Sequence, residues 1–406
     1  MPNSTLAITS TSRSVVKLAT STTFDPKQPL KNSTEYRAAY ARAKAAILQK
    51  YNEIGGATGR AVAEIEGAAG PSWQFLRRYQ NGVIYWSDAT GAHWVHGAIL
   101  AKYQELGAEG GSLGYPITDE LAEQDGKGRH NRFERGSIYW SAATGACEVH
   151  GQILERWLAL GGGQSWLGYP VSGEMDFPDD GRVSAFQNGA IYWWNDTGAR
   201  ELGDVVVQYT GLYCFGETDV DGIFTNSDEP YASLGVKGPD FEQTFRTQIY
   251  DDVDAGDERP DFIEMYRGTP RGMMINAILN EYSGGDTELS RGKLKEAYEK
   301  GSPYLADAIS QIPYVGPVLG PIATVALAAA KNDVLDALNS FVESTLGYAN
   351  RPLGADVIVL TPRDMVLLAT RPEGNAFQYG IPWRFQTETL RRFGATYVIY
   401  FNIFPA

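Results

Sequence analysis

Near-identical hexapeptides recur at Asn81-Gly82-Val83-Ile84-Tyr85-Trp86, Arg135-Gly136-Ser137-Ile138-Tyr139-Trp140 and Asn188-Gly189-Ala190-Ile191-Tyr192-Trp193, 54 and then 53 residues apart. The flanks keep step with them. Gly91-Ala92, Gly145-Ala146 and Gly198-Ala199 follow at nine residues from the first glycine of each copy. Fixed spacing at this length requires one supersecondary unit used repeatedly, too small to bury its own apolar face and completed by its neighbours.

Each hexapeptide alternates with period two, which predicts a strand with Ile84 and Trp86 on the core face and Tyr85 on the other. The preceding glycine and the Asp88-Ala89-Thr90-Gly91 turn read as hairpin punctuation. A helical pattern follows at Ile99-Leu100-x-x-Tyr103-x-x-Leu106-Gly107 and Ile153-Leu154-x-x-Trp157-x-x-Leu160-Gly161. The same pattern stands ahead of the first copy at Ile47-Leu48-x-x-Tyr51-x-x-Ile54-Gly55. Each unit is therefore a β-hairpin plus a helix, and the first begins near residue 35. Two Gly-rich loops lead into Leu113-Gly114-Tyr115-Pro116 and Leu167-Gly168-Tyr169-Pro170, and Arg60 to Gly67 stands where the first copy of that tetrapeptide is expected. Tyr36, Tyr40, Ala43, Ile47, Tyr51 and Ile54 share one helical face, with Ser33 or Thr34 as the cap. Residues 1–33 read as a flexible polar leader without the apolar run of a secretion signal.

The repeated Leu-Gly-Tyr-Pro, the Gly-x-Ile-Tyr-Trp phrase and the Thr-Gly-Ala with Val-His-Gly (Val95–Gly97, Val149–Gly151) resemble the LGFP repeat family over residues 35 to 203. That resemblance implies an envelope-associated protein of the kind found in actinobacteria, anchored to the cell wall through its repeats. It implies an extracellular or cell-surface location; the sequence alone leaves cytoplasmic residence or signal-independent export open. Tyr replaces the family's Phe in both tetrapeptides.

The second half, 204–406, carries the charge. Net charge is −14, and between Glu217 and Glu264 fourteen acidic residues face three basic ones. This argues against nucleic acid as a partner and for a cation. Asp219, Asp221 and Asp228 precede one strand; Asp252, Asp254 and Asp261 follow another. Calcium takes six to eight oxygens, so two such clusters at adjoining loops suit it. The pattern is similar to the calcium-binding loops of C2 domains, which implies a C2-like antiparallel β-sandwich with those six aspartates as metal ligands. Strands are expected at Val205–Phe215, Asp356–Leu360, Met365–Thr370 and Thr396–Phe404. A helical insertion is expected at about 275–349, with a charged helix at Leu289–Lys300. Three prolines interrupt the uncharged run from 312, leaving about ten helical residues after Pro321, too few to span a bilayer. Val334, Leu335, Leu338, Phe341 and Val342 form an inward helical face over Asp333–Leu346. Cys147 and Cys214 have no metal-type spacing.

The fold expected is α+β: a leader (1–33), a three-repeat module (34–203) and the sandwich (204–406). No nucleophile, base and orienter come together in sequence, and Gly110-Gly111-Ser112-Leu113-Gly114 lacks the strand that a nucleophile elbow needs. The repeated His96 and His150 suit hydrogen bonding between hairpin and helix better than catalysis. The function expected is non-enzymatic binding. Tyr85, Trp86, Tyr139, Trp140, Tyr192, Trp193, Tyr115 and Tyr169 are the candidate glycan-binding rings, against a core role for the tryptophans. Calcium is expected in the second half. One alternative is a toxin-like protein whose 303–349 segment engages a membrane or a partner protein; another is an envelope hydrolase with an unrecognised site.

Overall fold

The computed structural model describes residues 33–67, 73–218, 227–284, 287–289, 292–293, 295–296, 314–315, 318–319, 324–344, 350–372 and 376–406. The leader therefore lies outside the described residues except for Ser33, as do much of Leu289–Lys300 and most of the proline-rich run. The chain forms two compact units, 1–94 and 95–406.

In the first unit, Ser33 Oγ accepts the Tyr36 N–H at 3.1 Å and caps α1 (Thr34–Ile54). Satisfying one of the orphan N–H groups there fixes where the helix starts. Its apolar stripe packs on β2 (Gln74–Tyr79) and β3 (Gly82–Ser87), where Ala39, Ala43 and Ile47 meet Phe75, Ile84 and Trp86. With β1 (Glu66–Gly67) and β4 (Gly91–His96) these strands make a four-stranded antiparallel sheet rather than a lone hairpin.

The second unit repeats the arrangement twice. Helix α2 (Gly97–Glu105) packs on β7 (Gly136–Ser141) and β8 (Gly145–Val149) of the meander completed by β5 (Leu121–Ala122) and β6 (Gly128–Phe133). Helix α3 (Gly151–Ala159) packs on β11 (Gly189–Trp194) and β12 (Gly198–Leu202) of the meander completed by β9 (Met175–Phe177) and β10 (Gly181–Phe186). Each helix thus precedes the sheet it covers.

The hairpin glycines divide into two kinds. Gly91, Gly145 and Gly198 take φ of 82°, 75° and 72°, the left-handed residue that ends a short hairpin loop. Gly136 and Gly189 need room instead: a Cβ would sit 2.7 Å from His150 Cβ or 2.8 Å from the Leu202 carbonyl oxygen.

The core does not stop at residue 203. Phe177, Tyr192, Trp194 and Leu202 share one buried cluster with Val205, Tyr209 and Leu234. Arg363 Nη2 reaches Asp196 Oδ2 at 2.5 Å and its guanidinium lies over Trp194. Beyond this junction two antiparallel sheets face each other across the cluster. One has the order β16 (Glu258–Gly268), β13 (Val205–Gly216), β25 (Ala395–Pro405), β23 (Phe385–Gln386), with β24 (Leu390–Arg392) also on β25. The other runs β15 (Glu242–Arg246), β14 (Pro230–Lys237), β17 (Met273–Glu281), β20 (Arg351–Leu360). The two-residue β18 (Tyr314–Val315) and β19 (Val318–Leu319) pair with each other, as do β21 (Ala376–Gln378) and β22 (Ile381–Trp383). The class is α+β.

Three expectations change. The insertion begins after Glu281, because β17 continues through 275 in register with β14 and β20. The helix after the prolines is one 21-residue element, Thr324–Ser344, whose Val334, Leu338, Phe341 and Val342 cover Met274, Ile278 and Val357 on the outer face of that sheet. Met365–Thr370 is not a strand: Pro362–Ala369 is a helix, started by a capping box in which Thr361 Oγ1 accepts the Asp364 N–H at 3.0 Å and Asp364 Oδ2 accepts the Thr361 N–H at 3.0 Å. That local hydrogen bonding, with proline at the first helical position, outweighs the β-forming composition. Cys147 and Cys214 are free and buried, and burial pushes each thiol up to about 11.

Candidate functional site

The tetrapeptide loops are latches. Gly114 and Gly168 each take φ of 72°, and their carbonyl oxygens accept Tyr103 Oη–H at 2.8 Å and Trp157 Nε1–H at 3.0 Å from the preceding helix. The two-residue turn of the following hairpin closes each loop from the other side. Its first residue caps the motif backbone: Tyr115 N–H donates to Glu134 Oε2 and Tyr169 N–H to Gln187 Oε1, both at 2.9 Å. Its second residue holds the chain just before the motif, through Arg135 Nε to Ser112 O at 2.5 Å and Asn188 Nδ2 to Trp166 O at 2.9 Å.

The first unit has the same latch under other letters. Gly59 takes φ of 70°, Arg60 N–H donates to Gln80 Oε1 at 2.9 Å, and Asn81 Nδ2 donates to Ala57 O at 2.8 Å. Ala61 bridges Tyr79 as Pro116 bridges Phe133 and Pro170 bridges Phe186. The stand-in for Leu-Gly-Tyr-Pro is therefore Thr58-Gly59-Arg60-Ala61, not the stretch from Arg60 to Gly67. Backbone geometry and a capping side-chain oxygen define the loop, and only its glycine is fixed by conformation.

The rings proposed for glycan contact are mostly not available. Tyr85, Tyr139, Tyr192, Tyr115, Tyr169 and Trp86 are buried, while Trp140 and Trp193 are half-buried. The expected outward face of Tyr85, Tyr139 and Tyr192 is corrected, because both faces of a repeat sheet are covered. Tyr139 meets Trp157 of the next helix edge-on at 4.5 Å, and Tyr192 meets Phe177 at 5.0 Å within the core shared with the second half.

His96 and His150 take the N-cap positions of α2 and α3 in extended conformation. His96 Nε2 lies 3.3 Å from Glu120 Oε2 and His150 Nδ1 lies 3.5 Å from Glu174 Oε2; Arg129 and Arg182 approach the other oxygens at 3.9 and 3.6 Å. Burial raises the Glu174 carboxyl from its ordinary value, against the pull of His150 and Arg182. Each triad ties a helix start to the loop after the next tetrapeptide.

Two clefts open on the repeats of the second unit. One of about 440 Å³ is lined by Asp125, Lys127 and Ser141 from the second meander and by Gly163, Tyr169 and Gln187 from the third repeat. Tyr169 Oη donates to Asp125 Oδ1 at 2.8 Å across it. The other, about 240 Å³, is lined by Gln187, Asn188, Gly189, Leu202, Asp204 and Thr269 among others. Trp166, 50% exposed, lies beside Gly189 and Gly203 of this cavity, its six-membered ring 3.0 Å from where a Gly189 Cβ would be. Its counterparts before the latch are Ala57 and Ser112. Sequence reasoning passed over Trp166 because it is outside the repeated phrase; its signal is that it breaks the repeat.

The acidic stretches do adjoin. Asp228 and Val253 exchange both backbone hydrogen bonds, at 3.0 and 2.9 Å, with exposed Asp252 and Asp254 on either side of buried Val253. Asp228 itself, 1% exposed, turns inward, and its carboxylate accepts Thr218 N–H, Thr218 Oγ1–H and Tyr397 Oη–H, the last at 2.7 Å. It is not placed as a free metal ligand. Asp261 stands on β16 and accepts Tyr250 Oη–H at 2.8 Å. Asp219 and Asp221 lie outside the described residues. Among the described residues no three His, Cys, Asp or Glu side chains are grouped to hold a metal ion.

The LGFP repeat family model matches residues 64–111, 113–165 and 167–211. The second and third matches begin at the leucine of each latch tetrapeptide. A comparison with curated proteins gives no match. LGFP repeats are typical of cell-surface proteins, and no described helix is long and apolar enough to cross a membrane.

Proposed function

Because the chain carries three LGFP repeats, we propose that it works at the cell surface by binding a glycan or other envelope polymer along them. The observation that carries this reading is the pair of clefts on the second unit, which share Gln187 and so lie side by side. Each is lined by more than one structural element, so a linear polymer is offered contacts in series, and weak contacts in series add through effective concentration. Buried latch tyrosines serve this indirectly, by holding the cleft walls. The test is co-sedimentation of the full chain with purified, insoluble cell-envelope polysaccharide. Retention well above that on an inert matrix, reduced by Lys127→Ala, supports the reading; no retention above the matrix sinks it.

Calcium at the acidic end is a second reading, favoured by the Asp228–Val253 pairing that sets the two stretches side by side. A calcium-dependent rise in the thermal midpoint, lost in Asp252→Asn with Asp254→Asn, supports it. No shift at millimolar calcium removes it. For the membrane-engaging alternative, Val334, Leu338, Phe341 and Val342 are already used in covering a sheet, and the proline-rich run on which it chiefly rests lies mostly outside the described residues.

A further inference from the structure

We propose that Trp166 and the adjoining cavity form a sugar-ring subsite for a neutral hexopyranosyl chain; the proposal rests on the polymer-binding reading and names its ligand class. An exposed tryptophan alone would be unremarked surface. Here its indole packs against Gly189 and Gly203, two residues of a cavity whose walls supply hydrogen-bonding groups of both senses. Gln187 gives its Oε1 to Tyr169 N–H, which leaves its amide NH₂ as the donor end. Asn188 uses its NH₂ on Trp166 O, which leaves its carbonyl as the acceptor end. Asp204 adds a carboxylate, held by Thr269 Oγ1 at 3.3 Å. Hydroxyls that both donate and accept, set around a ring with an apolar C–H face, answer this combination of a flat aromatic and alternating polar groups.

The size and charge narrow the class. A cavity of about 240 Å³ is smaller than the roughly 300–1,000 Å³ of pockets that enclose a drug-sized ligand, so it suits one ring of a chain that continues outside. Asp204 in the wall, on a chain of net charge −14, disfavours uronic or sulfated polymers.

The platform is also rigid. Ser165 Oγ donates to Gly162 O at 2.7 Å, Gly168 N–H to Ser165 O at 3.1 Å, and Asn188 pins the Trp166 carbonyl, so little ordering is left for binding to impose. Only the third repeat has this ring; Ala57 and Ser112 present nothing to stack on.

The experiment is calorimetric titration of the full chain with cellohexaose and maltohexaose, with hexagalacturonate as the anionic counterpart. At least one neutral hexasaccharide is expected to bind, with the anionic one tenfold weaker or more. Trp166→Ala should weaken binding about tenfold or more with an unchanged thermal midpoint, and Trp166→Phe should recover most of it. The proposal is overturned if Trp166→Ala binds like the natural chain, or if neither neutral hexasaccharide binds at millimolar concentration. Sedimentation with envelope polysaccharide separates the two readings. Retention that survives Trp166→Ala alongside absent hexasaccharide binding discards the subsite and keeps the module. Trp166-dependent hexasaccharide binding without retention does the reverse.

Discussion

The latch loops of the repeats and the acidic end of the second half use polar side chains for the same task and differ in what they need from them. In both, a side-chain oxygen caps a backbone N–H: Gln80, Glu134 and Gln187 cap Arg60, Tyr115 and Tyr169, while Asp228 and Glu281 cap Thr218 and Glu229. In the repeats the cap is an amide twice and a carboxylate once, so its charge is incidental. At the acidic end two carboxylates are carried inside, Asp228 at 1% exposed and Glu281 at 7%. Burial pushes the Glu281 carboxyl up to about 7, with Asp228 and Glu229 adding to the rise and Glu229 N–H and Arg351 opposing it. A side chain that only has to accept one hydrogen bond can be neutral; a buried carboxylate makes the fold answer to pH.

That contrast can be broken at several points. The largest effect is expected from Asp228→Ala, which strands Thr218 N–H and the hydroxyls of Thr218 and Tyr397 at a buried site. Urea unfolding should show a loss of about 3–5 kcal/mol. If the loss is under 1 kcal/mol, the inward network is not holding the loop.

Glu281→Gln comes next, and its sign reverses the usual expectation. The folded protein holds this proton more tightly than the unfolded chain, so the contribution of the neutral form is full below the ordinary 4.5 and is lost as pH rises through about 7. The variant, which keeps an oxygen for Glu229 N–H, should therefore match the natural chain near pH 4 and exceed it at pH 8 by on the order of 2–3 kcal/mol. Equal stability at both ends of that range would show that Glu281 ionises normally.

Gln187→Ala removes a cap without removing a charge and is expected to cost about 1–2 kcal/mol in the same unfolding assay, with no added pH dependence. Smallest of all, Glu134→Gln should change stability by less than about 0.5 kcal/mol, because the amides at Gln80 and Gln187 already do this in the other two repeats. A large loss there would mean that the charge matters in the second repeat alone.

Much of this molecule is legible in its sequence, and the reason differs by feature. The repeat spacing, the helix before each sheet and the strand phase of Ile-Tyr-Trp follow from periodicities that the backbone enforces over a few residues. The Thr324–Ser344 helix shows its inward face at Val334, Leu338 and Val342 for the same reason. Met365–Thr370 was misread because two hydrogen bonds at Thr361 and Asp364 outweigh composition. The first latch was missed because Thr-Gly-Arg-Ala shares only a glycine with Leu-Gly-Tyr-Pro; what the copies share is a φ near 70° and a cap arriving from about twenty residues away, which is not written in neighbouring letters.

The candidate site divides along the same line. By itself the sequence determined the LGFP repeats, their register and the acidic bias of the second half, since these are local patterns and counts. Only the tertiary structure decided that Tyr85, Tyr139 and Tyr192 are covered, that Asp228 faces Tyr397 rather than solvent, and that Trp166 is left exposed beside Gly189 and Gly203 of a cavity. Whether a side chain is buried depends on what a distant segment lays over it, and a single strand's alternation names two faces without saying how many of them will be covered.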